Sequence, residues 1–359
     1  MIYPILVLLF FFIIQFLKNN SKQNWDSGLK VLVIIISLLI IEFLRSYAQS
    51  IFGDIPNYRY VFDEIKPITN VFKEGYGVDY YYSSLELGYV LLISIFKLIS
   101  SDFNYFLQLI SIIQLSVFYF FCKKFKIKIV NAVPIYLALI FITFQIGMLR
   151  QSLGFSFFLL GLVNLRKKYL YFTLVAIGCT FHISTVFCFL LFWVDKFVLR
   201  NIYYLLFLLS LYIYANKIDL LNNISSLTDF IEIGNFGRTN YYLNVDRPSN
   251  HFGIGFWERI IYFIIMNFIY SKLEKYNKIN YYNNIVFNLG VYTILFQMIF
   301  WSSPTITSRL RYFIVIFPAI FISQYIYNTY KINKTNIIHQ AIFSSYLILY
   351  LYFLTAYLW

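Results

Sequence analysis

Charge is scarce in this sequence. Asp, Glu, Lys and Arg make up 13% of its 359 residues, against 60% hydrophobic, too few polar groups to clothe that much apolar area in water. A soluble domain is excluded. Cysteine and histidine are scarcer still: Cys122, Cys179 and Cys188 stand in apolar sequence with no CxxC spacing, and His182, His251 and His339 lie far apart. No disulfide framework, metal site or cofactor is expected from such a set. The first apolar run lacks both a basic n-region and a small-residue cleavage site, so it reads as a retained helix with its N-terminus outside. No internal repeat is visible.

What is present is a series of apolar runs with basic clusters between them. The runs fall at about residues 1–17, 31–44, 85–100, 103–121, 132–149, 151–165, 169–194, 201–215, 257–271, 284–301, 311–328 and 337–359, long enough in most cases to cross lipid as helices. The expected fold is all-α: a polytopic transmembrane helix bundle of about 11–13 helices, some short or re-entrant, forming one integral membrane domain over residues 1–359. The net charge of +13 would suggest nucleic acid in a soluble protein. Here it gathers at Lys18–Lys30, Lys123–Lys128, Arg166–Lys168, Lys272–Lys278 and Lys331–Lys334, the positive-inside pattern of cytoplasmic segments. The polar stretches at about 45–84 and 216–256 carry no such excess and are expected outside as loops, the first of them rich in tyrosine. Aromatic residues at that density suit a membrane interface, and they also stack on sugar rings.

Alternation of sides fails twice. Three apolar runs separate the first and second basic clusters, and three separate the third and fourth. The run 85–100, which opens with Glu86 and contains Lys97, is expected not to cross. The run 169–194 is expected to fold as two short helices meeting near His182, because fourteen helical residues span only ~21 Å of a ~30 Å hydrocarbon core. Irregular backbone at that depth must be buried in protein or line a watery cavity. With both corrections, Arg150, His182, the 216–256 loop and the segment Ser302–Arg311 fall on the outer side.

Arg150 stands alone between two uncharged apolar runs. A guanidinium does not lose its proton, and lipid charges it about 3 kcal/mol even on lenient insertion scales, so it must meet water, protein or an anion. The competing reading is an arginine snorkelling to the interface. Gathered on the outer side, Arg45, Arg150 and Arg309 or Arg311 would form a receptor for a multiply charged anion such as a diphosphate, and would stabilise a diphosphate leaving group. Arg309 and Arg311 lie about 200° apart on a helix, so one of them, with Arg309 preferred, faces a shared cavity. His182 is a candidate general base or orienting donor, or a core histidine satisfied by a carbonyl. Asp54 and Glu86 are the carboxylates on the same side. Either takes the base role or pairs with an arginine.

In order along the chain, Arg45, Gly53-Asp54, Tyr58, Glu86-Leu87-Gly88-Tyr89, Arg150-Gln151, Phe181-His182-Ile183-Ser184 and Arg309-Leu310-Arg311-Tyr312 resemble the EpsG family of exopolysaccharide and O-antigen polymerases of the Wzy type. The sequence departs from that pattern where Asp54 follows Arg45 by nine residues and precedes Ile55. The resemblance implies a GT-C-like membrane glycosyltransferase in the bacterial inner membrane. It would move a growing glycan from undecaprenyl diphosphate to the sugar of another undecaprenyl-diphosphate-linked repeat unit, at the periplasmic face and without a metal. The implied partners are the lipid-linked oligosaccharide, membrane lipid and a chain-length regulator protein, with no nucleic acid. The implied catalytic residues are His182, Arg150, Asp54 and Glu86, and the diphosphate-binding ones Arg45, Arg150, Arg309, Arg311 and Tyr58. A lipid-linked sugar flippase and a polysaccharide O-acyltransferase are the alternatives. A transporter would be expected to show paired repeats with matching Gly or Pro breaks, and an acyltransferase to face a cytoplasmic donor.

Overall fold

A computed structural model describes residues 54–70, 86–129, 132, 136, 147–195, 200–218, 254–276, 279–301 and 316–330. Among these residues every regular element is helical. The elements are α1 (Asp54–Glu64), α2 (Leu87–Phe96), α3 (Phe103–Lys124), α4 (Leu149–Val163), α5 (Lys168–Cys179), a 3₁₀ helix (Ile183–Asp195), α6 (Arg200–Ala215), α7 (Ile254–Lys275), α8 (Tyr281–Ile299) and α9 (Ile316–Tyr330). They divide into two compact units, the second running from Leu190 to Tyr325.

In the first unit, α3 is the described helix both long and apolar enough to cross a membrane. Its ends are set by local chemistry. The Asp102 carboxylate accepts the Asn104 N–H at 2.7 Å, and Lys123 and Lys124 occupy the last turn, a cap and a charge placement that both complement the helix dipole. α2 is different. Its ten residues give about 15 Å of helix, half a hydrocarbon core, so α2 by itself is too short to cross. Part of the stretch expected to be an outside loop is ordered as α1, whose Ile55, Val61 and Phe62 are buried. The sequence reading missed this helix because one apolar stripe among Asp, Asn, Arg and Tyr resembles a loop when judged by mean polarity.

An aromatic cluster joins these three helices. Phe62 of α1 lies 5.2–6.1 Å, ring to ring, from Phe96 of α2 and from Phe103 and Phe106 of α3. Lys97 at the end of α2 donates to the Asp63 carbonyl at 2.9 Å with its ammonium 5.0 Å from the Phe62 ring centre. Partial burial lowers the Lys97 pKa, opposed by the carboxylates of Asp63 and Glu64.

The run 169–194 breaks where parity required. α5 stops at Cys179, Thr180–His182 form a turn, and the 3₁₀ helix follows. The Tyr171 hydroxyl donates to the Cys188 carbonyl at 2.5 Å and Phe172 stacks on Phe189, so the two arms run antiparallel. α4 lies along α5 with glycine against glycine. A Cβ on Gly178 would sit 3.2 Å from the Gly154 carbonyl and 2.8 Å from Thr185 Cγ2. Gln114 of α3 donates to Ser152 of α4 at 2.6 Å.

In the second unit α8 is the central element, with Ile285, Phe287, Asn288, Leu289, Val291 and Met298 buried. Asn288 accepts from the Tyr203 hydroxyl at 2.7 Å and donates to the Val194 carbonyl at 2.6 Å. α6 shows which solvent surrounds this unit. It buries Ser210 with Tyr203 and Phe207, and exposes Ile202, Leu205, Leu208 and Leu209. A polar group inside and leucines outside is the reverse of a helix in water. It is the arrangement of a helix in lipid.

Candidate functional site

The site lies where α1, α2, α4 and the Thr180–His182 turn meet. Glu86 is the N-cap residue of α2, with extended backbone, yet its carboxylate makes no bond to its own helix. One of the amides left unpaired at that helix start, the Gly88 N–H, donates instead to the Thr180 carbonyl at 2.7 Å. That approach requires glycine: a Cβ on Gly88 would meet Thr180 Oγ1 and lie 2.8 Å from its carbonyl oxygen. With the cap role filled from outside, the Glu86 carboxylate reaches across to Arg150.

Arg150 is the second residue of α4, the positive end of the helix dipole, where a cation is opposed by about 0.3–1 kcal/mol. The position is held by a partner. Arg150 Nη1 and Glu86 Oε2 are 2.5 Å apart, with side chains 25% and 17% exposed. That degree of exposure places the pair at the edge of the protein interior and not deep within it. The Tyr58 hydroxyl, from α1, hydrogen-bonds the same guanidinium, and the Tyr58 ring meets Tyr89 of α2 edge-on at 6.1 Å. Tyr58, Glu86, Tyr89 and Arg150, spread over 92 positions of sequence, thus form one cluster. Two buried polar atoms in it, Arg150 Nε and the Tyr89 hydroxyl, have no hydrogen-bond partner among the described residues.

His182 is 7% exposed and stands two residues beyond the carbonyl that receives Gly88. Its Nδ1 accepts the Ser184 N–H at 3.2 Å and lies 2.7 Å from the Ser184 hydroxyl. In the tautomer that lets Nδ1 accept the Ser184 N–H, the hydrogen sits on Nε2, which fits the orienting donor among the base, donor and core roles the sequence left open.

Of the other expected site residues, Asp54 is the first residue of α1, one turn before Tyr58. Arg45, Arg309 and Arg311 lie outside the described residues, as do most of the 45–84 and 216–256 stretches. Sequence reasoning passed over Arg259, a second arginine inside an apolar run, counted within 257–271 as though that run were uninterrupted. Its Nε donates to Gln297 of α8 at 2.9 Å. The signal that singled out Arg150, a cation with apolar neighbours on both sides, was there too, blurred by the adjacent Glu258. Tyr89 was named with the Glu86 motif but given no role, since nothing in its sequence context separates a core tyrosine from a working one. Among the described residues no group of three or more His, Cys, Asp or Glu is placed to hold a metal.

A family model described as the EpsG family matches residues 30–359. No curated protein and no solved structure matches the chain.

Proposed function

The chain belongs to the EpsG family, a membrane protein of polysaccharide-polymerase type, and from that premise we propose that it is a multi-pass polymerase of the bacterial inner membrane with a GT-C-like architecture. It transfers a growing glycan from undecaprenyl diphosphate to a sugar hydroxyl of another undecaprenyl-diphosphate-linked repeat unit, at the outer face. The bond formed joins the donor's anomeric carbon to the acceptor oxygen, the bond broken releases undecaprenyl diphosphate, and the acceptor proton passes to a base. The observation that supports this reading most directly is the Glu86–Arg150 pair with Tyr58 beside it. Two charges from separate apolar runs meet at the partly open edge of the interior, each at the start of a helix, in the motifs through which the chain resembles the family.

The Glu86–Arg150–Tyr58 cluster supports these roles. Glu86 is the carboxylate nearest the arginine, and in the presence of an acceptor hydroxyl it serves as the base. Arg150, neutralised by Glu86, positions that carboxylate, and the expected arginines Arg45, Arg309 and Arg311 are assigned to the diphosphate, whose developing charge they stabilise. His182 orients a substrate oxygen, and Asp54 is the alternative base. A chain-length regulator protein is the expected partner in the membrane. The test is complementation of a strain lacking this gene. Arg150→Ala and Glu86→Gln proteins should insert at wild-type level yet leave single repeat units on the carrier. A normal ladder of long chains from the Arg150→Ala strain refutes the assignment.

A further inference from the structure

Buried polar atoms in proteins are almost always hydrogen-bonded, and each exception needs a reason. Tyr89 is fully buried among Tyr58 and Phe106, and phenylalanine would fill that space without stranding a hydroxyl. The stranded oxygen shares its cluster with a second stranded atom, Arg150 Nε. Tyr89 follows Glu86 by three residues, about one helical turn, and so lies on the same side of α2 as the carboxylate that holds Arg150.

We propose that the Tyr89 hydroxyl and the Arg150 Nε–H together bind a neutral sugar hydroxyl of the lipid-linked glycan, which makes Tyr89 a specificity-determining residue of the transfer. The inference rests on the polymerase reading above. Nε–H only donates and a tyrosine hydroxyl donates readily, so the two atoms ask for an acceptor. The identity of that acceptor follows from charge. Arg150 is already neutralised by Glu86 at Nη1, so this corner of the cluster has no net charge to offer a phosphate. The Glu86 carboxylate, whose Oε2 meets Nη1, supplies an acceptor in the same cluster. Two donors and one acceptor around a neutral centre are what a hydroxyl of a sugar satisfies, accepting from Tyr89 and Arg150 and donating to Glu86. Tyr58, half-buried and edge-on to Tyr89, is the side chain whose displacement admits it.

Because the hydroxyl has no partner among the described residues, removing it should have little resting-state cost, and this separates a binding role from a structural one. The experiment uses the full-length protein in lipid nanodiscs, with repeat units on undecaprenyl diphosphate taken from a polymerase-deficient strain. Tyr89→Phe should melt at or above the wild-type temperature, raise KM by about tenfold or more, and leave inhibition by free pyrophosphate unchanged, since a lost hydroxyl contact acts on sugar discrimination. An unchanged KM beside an inactive Arg150→Ala control overturns the proposal and leaves the polymerase reading standing. Weakened pyrophosphate inhibition in Tyr89→Phe also overturns it, by assigning the atoms to phosphate. A fall in melting temperature of about 5 °C or more would show the hydroxyl to be structural. Polymerisation by Arg150→Ala would remove the polymerase reading itself, and this inference with it.

Discussion

A lone arginine and a lone glutamate, each bordering an apolar run, were visible from the sequence as anomalies, and a carboxylate–arginine pair was one of the options it left, but which residues pair was not. Nothing in the spacing of Glu86 and Arg150 distinguishes a pair from two independent snorkelling charges, because their meeting depends on where α2 ends up. The structure resolves this through the Gly88–Thr180 hydrogen bond. At this scale the first prediction concerns the arginine's shape. Arg150→Lys keeps the charge but loses the fork that addresses Glu86 with one nitrogen and leaves Nε–H for another partner. Turnover should fall about 100-fold or more, nearly as far as in Arg150→Ala; near-normal polymer length in the lysine variant would reduce Arg150 to a point charge. Glu86→Gln should also lower stability by about 1–2 kcal/mol, less than the 3–5 expected of a deeply buried pair because both side chains remain partly exposed. Thermal unfolding in detergent measures that. For His182 the tautomer makes a sharper forecast. Glutamine places an N–H close to where Nε2–H lies but is no base, so His182→Gln should retain clearly more activity than His182→Ala, which loses about 100-fold. Equal loss in both variants would restore the general-base role.

At the level of helices, the sequence was most informative where length and charge conflicted with a membrane crossing. Run 85–100 carried charges at both ends and proved to contain a ten-residue helix. Run 169–194 was too long for one short span and too short for two full ones, and it proved to be an antiparallel hairpin turning at Thr180–His182. What remained illegible was tertiary. The Gly154–Gly178 approach and the threonine wedged against it involve residues that periodicity treats as ordinary, and α1 was hidden inside a polar stretch. The glycine contacts carry the next prediction. Gly88→Ala puts a methyl group against the Thr180 backbone, which cannot rotate away, so it should cost about 1–3 kcal/mol and separate Glu86 from the His182 turn, lowering turnover as well. Gly161→Ala is the comparison, since the nearest atoms there are on the Tyr171 ring at 3.2 Å and a ring edge yields more easily. A Gly88→Ala protein as stable and active as Gly161→Ala would show that the α2–turn contact is incidental to the site.

For the whole molecule the membrane assigns sides, and the described helices give that assignment testable endpoints. α3 begins after the exposed Ser101 and Asp102 and ends at the exposed Lys123 and Lys124. Basic residues at its C-terminal end complement the dipole, and the positive-inside rule expects them on the cytoplasmic side. On that rule the helix runs from outside to inside. If α2 stays on the side where α3 begins, then Glu86, and through it Arg150 and the Thr180–His182 turn, lie toward the outer face, where a lipid-linked glycan is presented after its carrier has been turned over. A single-cysteine experiment tests this sidedness. In a background with Cys122, Cys179 and Cys188 replaced by alanine, Ser101→Cys should react with a membrane-impermeant maleimide on intact spheroplasts, and Lys124→Cys only after permeabilisation. Both positions are exposed, so lack of reaction would report sidedness and not burial. The opposite labelling pattern would put the Glu86–Arg150 cluster on the cytoplasmic side, where the substrate would be a nucleotide-activated or newly assembled lipid-linked sugar, and the transfer would have to be assigned to a different reaction.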